Sequence, residues 1–287
     1  MFMSRLSLLI IILLATISCT GQEGDFLAES WGDVQEFDGG NITVLYVASE
    51  GFSYVNEDGD LTGVTIELMR DFARYVEAEH NVNLNIHFEA IESFSGFYDT
   101  VVNAKPGVFG VANVTITEER KEELAFSPSY LNNIAVLITH DSVSEIDDME
   151  EIPEAFNGLT GLAFEGTLHE ERIRDILQSY LPNSEIEMAH SNAEIIEKTA
   201  EEENYFAYVD IYNFWRATDQ SAPLVRHRVG DELAEEFGVI MPRGVEWEDV
   251  INEFFDHDGG YVHSETYRDH LRDHLGDELA ELLIGQL

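Results

Sequence analysis

Three places in the chain combine residue types and spacings suited to holding a charged small molecule. The first is Asn113-Val114-Thr115-Ile116-Thr117-Glu118-Glu119-Arg120. Asn113, Thr115 and Thr117 recur at every second position behind the apolar run 108–112, and Thr117-Glu118-Glu119 has the pattern of a helix N-cap with an acidic first turn. Arg120 comes about one turn in, where a cation opposes the helix dipole and so calls for an anion. Glu119 or Glu123 would supply it as a surface pair, and a bound ligand would supply it equally well; local physics leaves both open. The second place is Gly166-Thr167, between the strand-like run 159–164 and a helical pattern from Glu170 to Leu181. Backbone N–H groups at such a helix start favour an anion, and a threonine there also serves as a plain cap. The third is Asp210, which ends the apolar run Tyr205–Val209 and is either a solvent-facing cap or a partner for a cation.

Two weaker groupings bear on metals. The turn 56–60, Asn-Glu-Asp-Gly-Asp, fails the calcium-loop pattern because Tyr54 and Thr65 stand at the first and last ligand positions. His270 and His274 are one helical turn apart, but the pattern lacks the glutamate of H-E-x-x-H and a third ligand, so a solvated helix face is expected. The expectation is a protein without a metal or other cofactor.

These residues need a scaffold that puts strand ends together. The run 108–112 is apolar without alternation, the mark of a strand buried on both faces. Before it come a strand over 41–48, a helix over 64–76 and a strand over 83–88, which is βαβ alternation. After it, a strand over 134–139 leads out of a first lobe. A second lobe follows with strands at 159–164 and 205–209 and an amphipathic helix over 192–200. About 250 residues lie beyond position 40, enough for two modest cores.

The chain opens with Arg5 and an apolar run from Leu6 to Ile17 broken only by Ser7 and Thr16, the pattern of a secretory signal peptide over 1–18. Cys19 is the only cysteine, so no internal disulfide forms, and its position after Ala15-Thr16-Ile17-Ser18 suits lipoprotein processing. Two lipid signals on Cys19 would anchor the protein stably to a membrane. Residues 19–40 read as a polar, acidic tether without a sustained period.

The composition is 57 acids against 15 bases, a net charge of −42. Removing residues 1–18 deletes Arg5 and no acid, leaving 14 bases, 57 acids and −43. Such a charge excludes nucleic acid as a partner. The acids are spread among 44% hydrophobic residues, which argues against a disordered acidic tail. Lys105, Lys121 and Lys198 are the only lysines, and an acid-rich, lysine-poor surface suits work in concentrated salt.

The segment Ala112–Leu131, ANVTITEERKEELAFSPSYL, resembles the A-G-x-T-I-T-x-E-R-K…F-S-x-P-Y stretch of the extracellular solute-binding proteins of family 3, the amino-acid receptors of bacterial ABC importers. The segment 52–73 is similar to that family's first-lobe opening, Ser93-Phe94-Ser95-Gly96 to its aromatic W/F-x-G loop, and ENYFAYVDIYNFW, 203–215, to its G-x-x-D-A-x-x-x-D stretch. Glu236 to Arg243 is similar to the family's strand of return to the first lobe, and the resemblance runs from Asn41 to Leu287.

The resemblance implies an α/β, two-lobe, type II periplasmic binding protein, each lobe a mixed sheet flanked by helices, with two crossing hinge strands. Lobe 1 would comprise 41–135 and 234–287, and lobe 2 would comprise 136–233. It also implies roles for residues: Arg120, Thr115 and Thr167 on the ligand's α-carboxylate, Asp210 on its ammonium, with Asn113, Glu50, Phe52, Phe94 and Phe164 around them. The expected ligand is an amino acid with an uncharged side chain, given the three aromatic residues. The implied protein is an extracytoplasmic monomer that hands its ligand to an ABC transporter permease and has no catalytic residues. Two alternatives stand beside it: an enzyme on the same scaffold, dehydratase-like, and a ligand-sensing module for a membrane partner.

Overall fold

The computed structural model describes residues 26–285, so the expected signal peptide and Cys19 lie outside the described residues. α1 (Trp31–Glu36) and β1 (Gly39–Tyr46) come first, then the small hairpin of β2 (Tyr54–Val55) and β3 (Leu61–Thr62), α2 (Val64–His80), β4 (Asn83–Ala90) and α3 (Phe94–Val102). β5 (Val108–Thr115), α4 (Glu118–Lys121) and β6 (Leu124–Phe126) lead to β7 (Leu131–His140). The second lobe holds α5 (Ile152–Ala155), β8 (Thr160–Phe164), α6 (Leu168–Ser179), β9 (Ile186–Ala189), α7 (Asn192–Glu201), β10 (Tyr205–Asp210) and α8 (Ile211–Asp219). The 19-residue β11 (Leu224–Pro242) returns to the first lobe, which is completed by α9 (Trp247–Asp256), α10 (Glu265–Leu275) and α11 (Asp277–Ile284).

One continuous sheet runs β4-β1-β5-β11-β7-β10-β8-β9, with β6 paired to β11. β4, β1 and β5 are parallel, as are β10, β8 and β9, and the antiparallel pair β7–β11 joins the two sets. β11 pairs residues 224–227 with β7 in the second lobe and 237–240 with β5 in the first. Between these stretches its register against β7 shifts twice, between His227 and Glu232 and between Glu232 and Glu235. A bulged crossing pair concentrates the bend at a few residues, as a hinge requires.

Strand burial explains why both faces of the sheet are covered. All six residues of β10 are buried; Phe206 and Tyr208 point into one core with Leu137 and Phe156, while Ala207 and Val209 point into the other with Val136 and Ile138. The side-chain period of two divides the strand between two cores, so alternation disappears from its sequence.

Two expectations are corrected here. The tether expected over 19–40 is folded in its described part, because Glu29 bonds both ways with Asn41 at the start of β1, and Trp31 packs on Trp247 with ring centroids 5.1 Å apart. Three buried hydrophobic residues in a short polar stretch, Ala28, Trp31 and Val34, dock it on the core. The helix after Thr117 is a single turn, so the dipole that Arg120 was expected to oppose is small.

Candidate ligand-binding site

Most of the expected site residues sit near the end of a strand or the start of the helix that follows, while Glu50 and Phe52 lie in the turn between β1 and β2. Thr117 caps α4 by accepting from the Arg120 N–H at 3.2 Å. The Arg120 guanidinium folds back to donate to the Thr115 carbonyl oxygen at 3.1 Å, between the rings of Phe94 at 5.8 Å and Tyr98 at 5.7 Å. Burial lowers its pKa, and among the described residues no carboxylate forms an ion pair with it. The half-buried guanidinium thus keeps N–H donors beyond the one that Thr115 takes, enough to hold a carboxylate on two oxygens.

Asn113, two residues before the end of β5, adopts the left-handed region, φ 53°, which asparagine tolerates better than most residues. Its amide donates to the Tyr212 hydroxyl at 3.0 Å and accepts from the Tyr130 hydroxyl at 2.8 Å. Gly166, also at positive φ (78°), turns the chain from β8 into α6. Thr167 stands at the N-cap of α6, yet its hydroxyl donates to the Phe164 carbonyl at 2.7 Å instead of capping. The expected Gly-Thr cap is thus not made by the side chain, and the first-turn N–H groups of α6 are not capped by it.

Asp210 is 7% exposed at the N-cap of α8. One carboxylate oxygen accepts from Asn133 Nδ2 at 2.6 Å and lies 3.3 Å from His169 Nε2. Arg172 lies 3.0 Å from His169 Nδ1 and pairs with Glu235, and Asn133 Nδ2 also donates to Glu235 at 2.8 Å. Because Arg172 can only donate, His169 accepts at Nδ1 and presents its Nε2–H to Asp210. Asn133 is on β7 and Glu235 on β11, so this network fastens Asp210 to both crossing strands.

A cavity of about 420 Å³ lies between the lobes, lined by Arg120, Thr115, Asn113, Thr167, Asp210, Phe94, Phe164 and Glu50 among others. One lobe supplies Arg120 and Thr115, the other Thr167 and Asp210, as expected of a site that a ligand bridges. Phe52 is the exception. It is buried to 1% exposure behind the cavity, where its ring lies 4.5 Å from that of Tyr212, so it backs the wall and does not form it. Phe94 and Phe164 do meet, edge to face at 6.2 Å.

Sequence reasoning passed over Tyr212, Arg216 and His169, all of which line the cavity. Tyr212 and Arg216 are i, i+4 on α8, a spacing that puts them on one face, and His169–Arg172 are i, i+3 on α6. Those spacings were the available signal. Of the histidine pair, His270 Nε2 is 2.9 Å from an Asp71 carboxylate oxygen and His274 Nδ1 is 3.2 Å from the Tyr54 hydroxyl; no group of three or more metal-ligating side chains occurs among the described residues.

Residues 42–261 match the profile of the bacterial extracellular solute-binding proteins, family 3. The membrane-bound lytic murein transglycosylase F of Maricaulis maris (strain MCS10) is 29% identical over 137 residues, 48% of this chain and 28% of that protein; the chain thus spans well under half of that relative's length. An ancestral arginine-binding protein bound to arginine superposes with a TM-score of 0.66 at 20% identity, covering 83% of this chain and 98% of that one. The arginine-, lysine-, histidine-binding protein ArtJ of Geobacillus stearothermophilus gives 0.64 at 15% identity, covering 83% and 96%. At such identities the two structures share the fold, that of a two-lobe type II periplasmic binding protein. With the profile match covering most of its length and the inter-lobe cavity in place, the chain belongs to the bacterial extracellular solute-binding proteins of family 3.

Proposed function

We propose that this solute-binding protein captures an amino acid between its lobes and delivers it to an ABC transporter permease. The observation that carries the reading is the pairing of opposite charges across one cavity, a guanidinium at Arg120 with no carboxylate partner among the described residues and a buried carboxylate at Asp210. A zwitterion satisfies both: Arg120 and Thr115 take its carboxylate with Thr167, and Asp210 takes its ammonium. Neither lobe holds all of these groups, so binding favours closure. The ligand's side chain is uncharged, a reading supported by the Phe94–Phe164 wall and by Glu50 already carrying a counter-ion, Arg216, at 3.1 Å. A membrane anchor at Cys19 and a monomeric state complete the proposal.

Calorimetric titration with the proteinogenic amino acids tests the binding claim. Removing one partner of a desolvated, hydrogen-bonded charge pair costs about 2–5 kcal/mol, so Arg120→Ala and Asp210→Ala are each expected to weaken binding by about 30-fold to several thousand-fold. Unchanged affinity in Arg120→Ala would remove the site assignment. The local similarity to a murein transglycosylase keeps an enzyme reading open, and conversion of the bound compound to product in the same samples would favour it. For the anchor, Cys19→Ala should move the protein from the detergent phase to the aqueous phase; equal partitioning of variant and parent sinks the lipoprotein proposal.

A further inference from the structure

Arg216 lines the ligand cavity, and nothing in the chemistry of holding an amino acid's carboxylate and ammonium calls for it. It sits in the last turn of α8, where a cation is favoured by the helix dipole, but its guanidinium leaves the helix end and crosses the cleft to Glu50 of the other lobe, Nη2 to Oε1 3.1 Å. Tyr212, one turn earlier on the same face, crosses with it: its hydroxyl meets Ser49 at 3.3 Å and Asn113 at 3.0 Å, and its ring packs on Phe52. The α8 face therefore reads the turn that carries Glu50.

That turn is held in place from both sides. Phe52 N and Ser53 N both donate to the Ser49 carbonyl, Val64 N donates to the Gly51 carbonyl, and Gly51 adopts φ +83°. A Cβ at Gly51 would stand 2.7 Å from Leu275 Cδ2 and 3.2 Å from the His274 carbonyl oxygen, so the turn lies tight on α10. The backbone that carries the Glu50 carboxylate is thus fixed before any ligand arrives.

With Arg120 and Asp210 committed to the ligand's backbone charges, the charged groups left on the cavity wall are Glu50, Glu197 and Arg216, with His169 turned toward Asp210. Two acids would attract a basic side chain; Arg216 occupies one of them with a guanidinium that belongs to the protein. We propose that Arg216 is an internal stand-in for a basic ligand side chain and is the residue that turns this pocket away from basic amino acids. An entering ammonium or guanidinium would compete with Arg216 for Glu50 and would meet its like charge on the same wall. An uncharged side chain leaves the pair intact. Both partners keep contact with water, Arg216 at 29% and Glu50 at 61% side-chain exposure, so the discrimination comes from excluding a second cation and not from the strength of the pair.

This inference rests on the amino-acid reading above, and the experiment separates the two. Arginine, lysine and a set of uncharged amino acids are titrated into the full-length protein, Arg216→Met, Arg216→Gln and Arg216→Lys. In both neutral variants the affinity for arginine or lysine relative to the best uncharged amino acid is expected to rise by at least about tenfold, a change of about 1.4 kcal/mol. Arg216→Lys keeps the cation and should show no such rise, and Glu50→Gln added to Arg216→Met should cancel it. The proposal is overturned if the parent protein already prefers arginine or lysine, or if the ratio in the two neutral variants stays at the parent value while uncharged amino acids still bind. Failure of any amino acid to bind the folded parent protein overturns the amino-acid reading and this inference with it.

Discussion

His227 illustrates how a single buried side chain sets a response to pH. It is fully buried on β11, its Nδ1 accepts from the Ile146 N–H at 3.3 Å, and its Nε2 meets the Thr139 hydroxyl at 2.8 Å. Those partners fit only the neutral ring, and burial pushes its pKa down to about 4. Above the ordinary histidine pKa of about 6.5 the ring is neutral in both folded and unfolded chains and contributes no pH dependence. As pH falls from there toward 4 the unfolded chain takes up a proton that the folded one refuses, so stability declines by at most about 1.4 kcal/mol per pH unit. Protonation of surface acids acts in the opposite sense, which makes a difference measurement necessary. His227→Gln keeps a donor and an acceptor without the titration. Urea unfolding of both proteins at pH 7 and pH 5 should show the parent's advantage shrinking at the lower pH; a constant difference would mean that His227 does not titrate as its surroundings require.

At the scale of elements, the two crossing strands carry more than the hinge. Asn133 of β7 bridges Asp210 and Glu235, and Glu235 sits beside a register shift of β11 with Arg172 of α6 as its ion-pair partner. Both side chains of that pair are largely buried, at 6% and 18% exposure. Removing one partner of such a pair strands the other charge at a cost of about 3–5 kcal/mol. Glu235→Gln should therefore lower the unfolding midpoint markedly, and the double variant Arg172→Met, Glu235→Leu should recover part of the loss because no charge is stranded. If the double variant is as unstable as Glu235→Gln, the network as a whole, and not the pairing, holds the strands.

The whole molecule is dominated by its charge. A chain at −42 repels itself in every compact arrangement, and salt screens that repulsion over distances of about 10 Å at 0.1 M and about 3 Å at 1 M. We propose that the protein is adapted to concentrated salt, and the melting temperature should rise substantially between low and molar potassium chloride. A melting temperature that does not move over that range removes the adaptation. No helix among the described residues is long and apolar enough to cross a membrane, and the family is extracytoplasmic.

Sequence alone marked most of the strands and many of the side chains that line the cavity. Apolar runs marked the strands because burial on both faces leaves no polar position in a run such as Val108–Ala112, and strand-to-helix junctions marked Thr115, Arg120, Thr167 and Asp210 because unpaired backbone N–H groups and a polar side chain must meet there. What tertiary structure alone decided were the partners. Ser49 and Tyr212 are 163 positions apart, and Asn133 and Glu235 are 102 apart. No local period encodes such pairs, and Glu235 is one acid among 57. Phe52 looked like a pocket wall until Tyr212 stood in front of it, and Glu50, expected around the ligand, meets Arg216 of the other lobe. Local sequence fixes which face a side chain takes on its own element, and only the packing of one lobe against the other decides what that face meets.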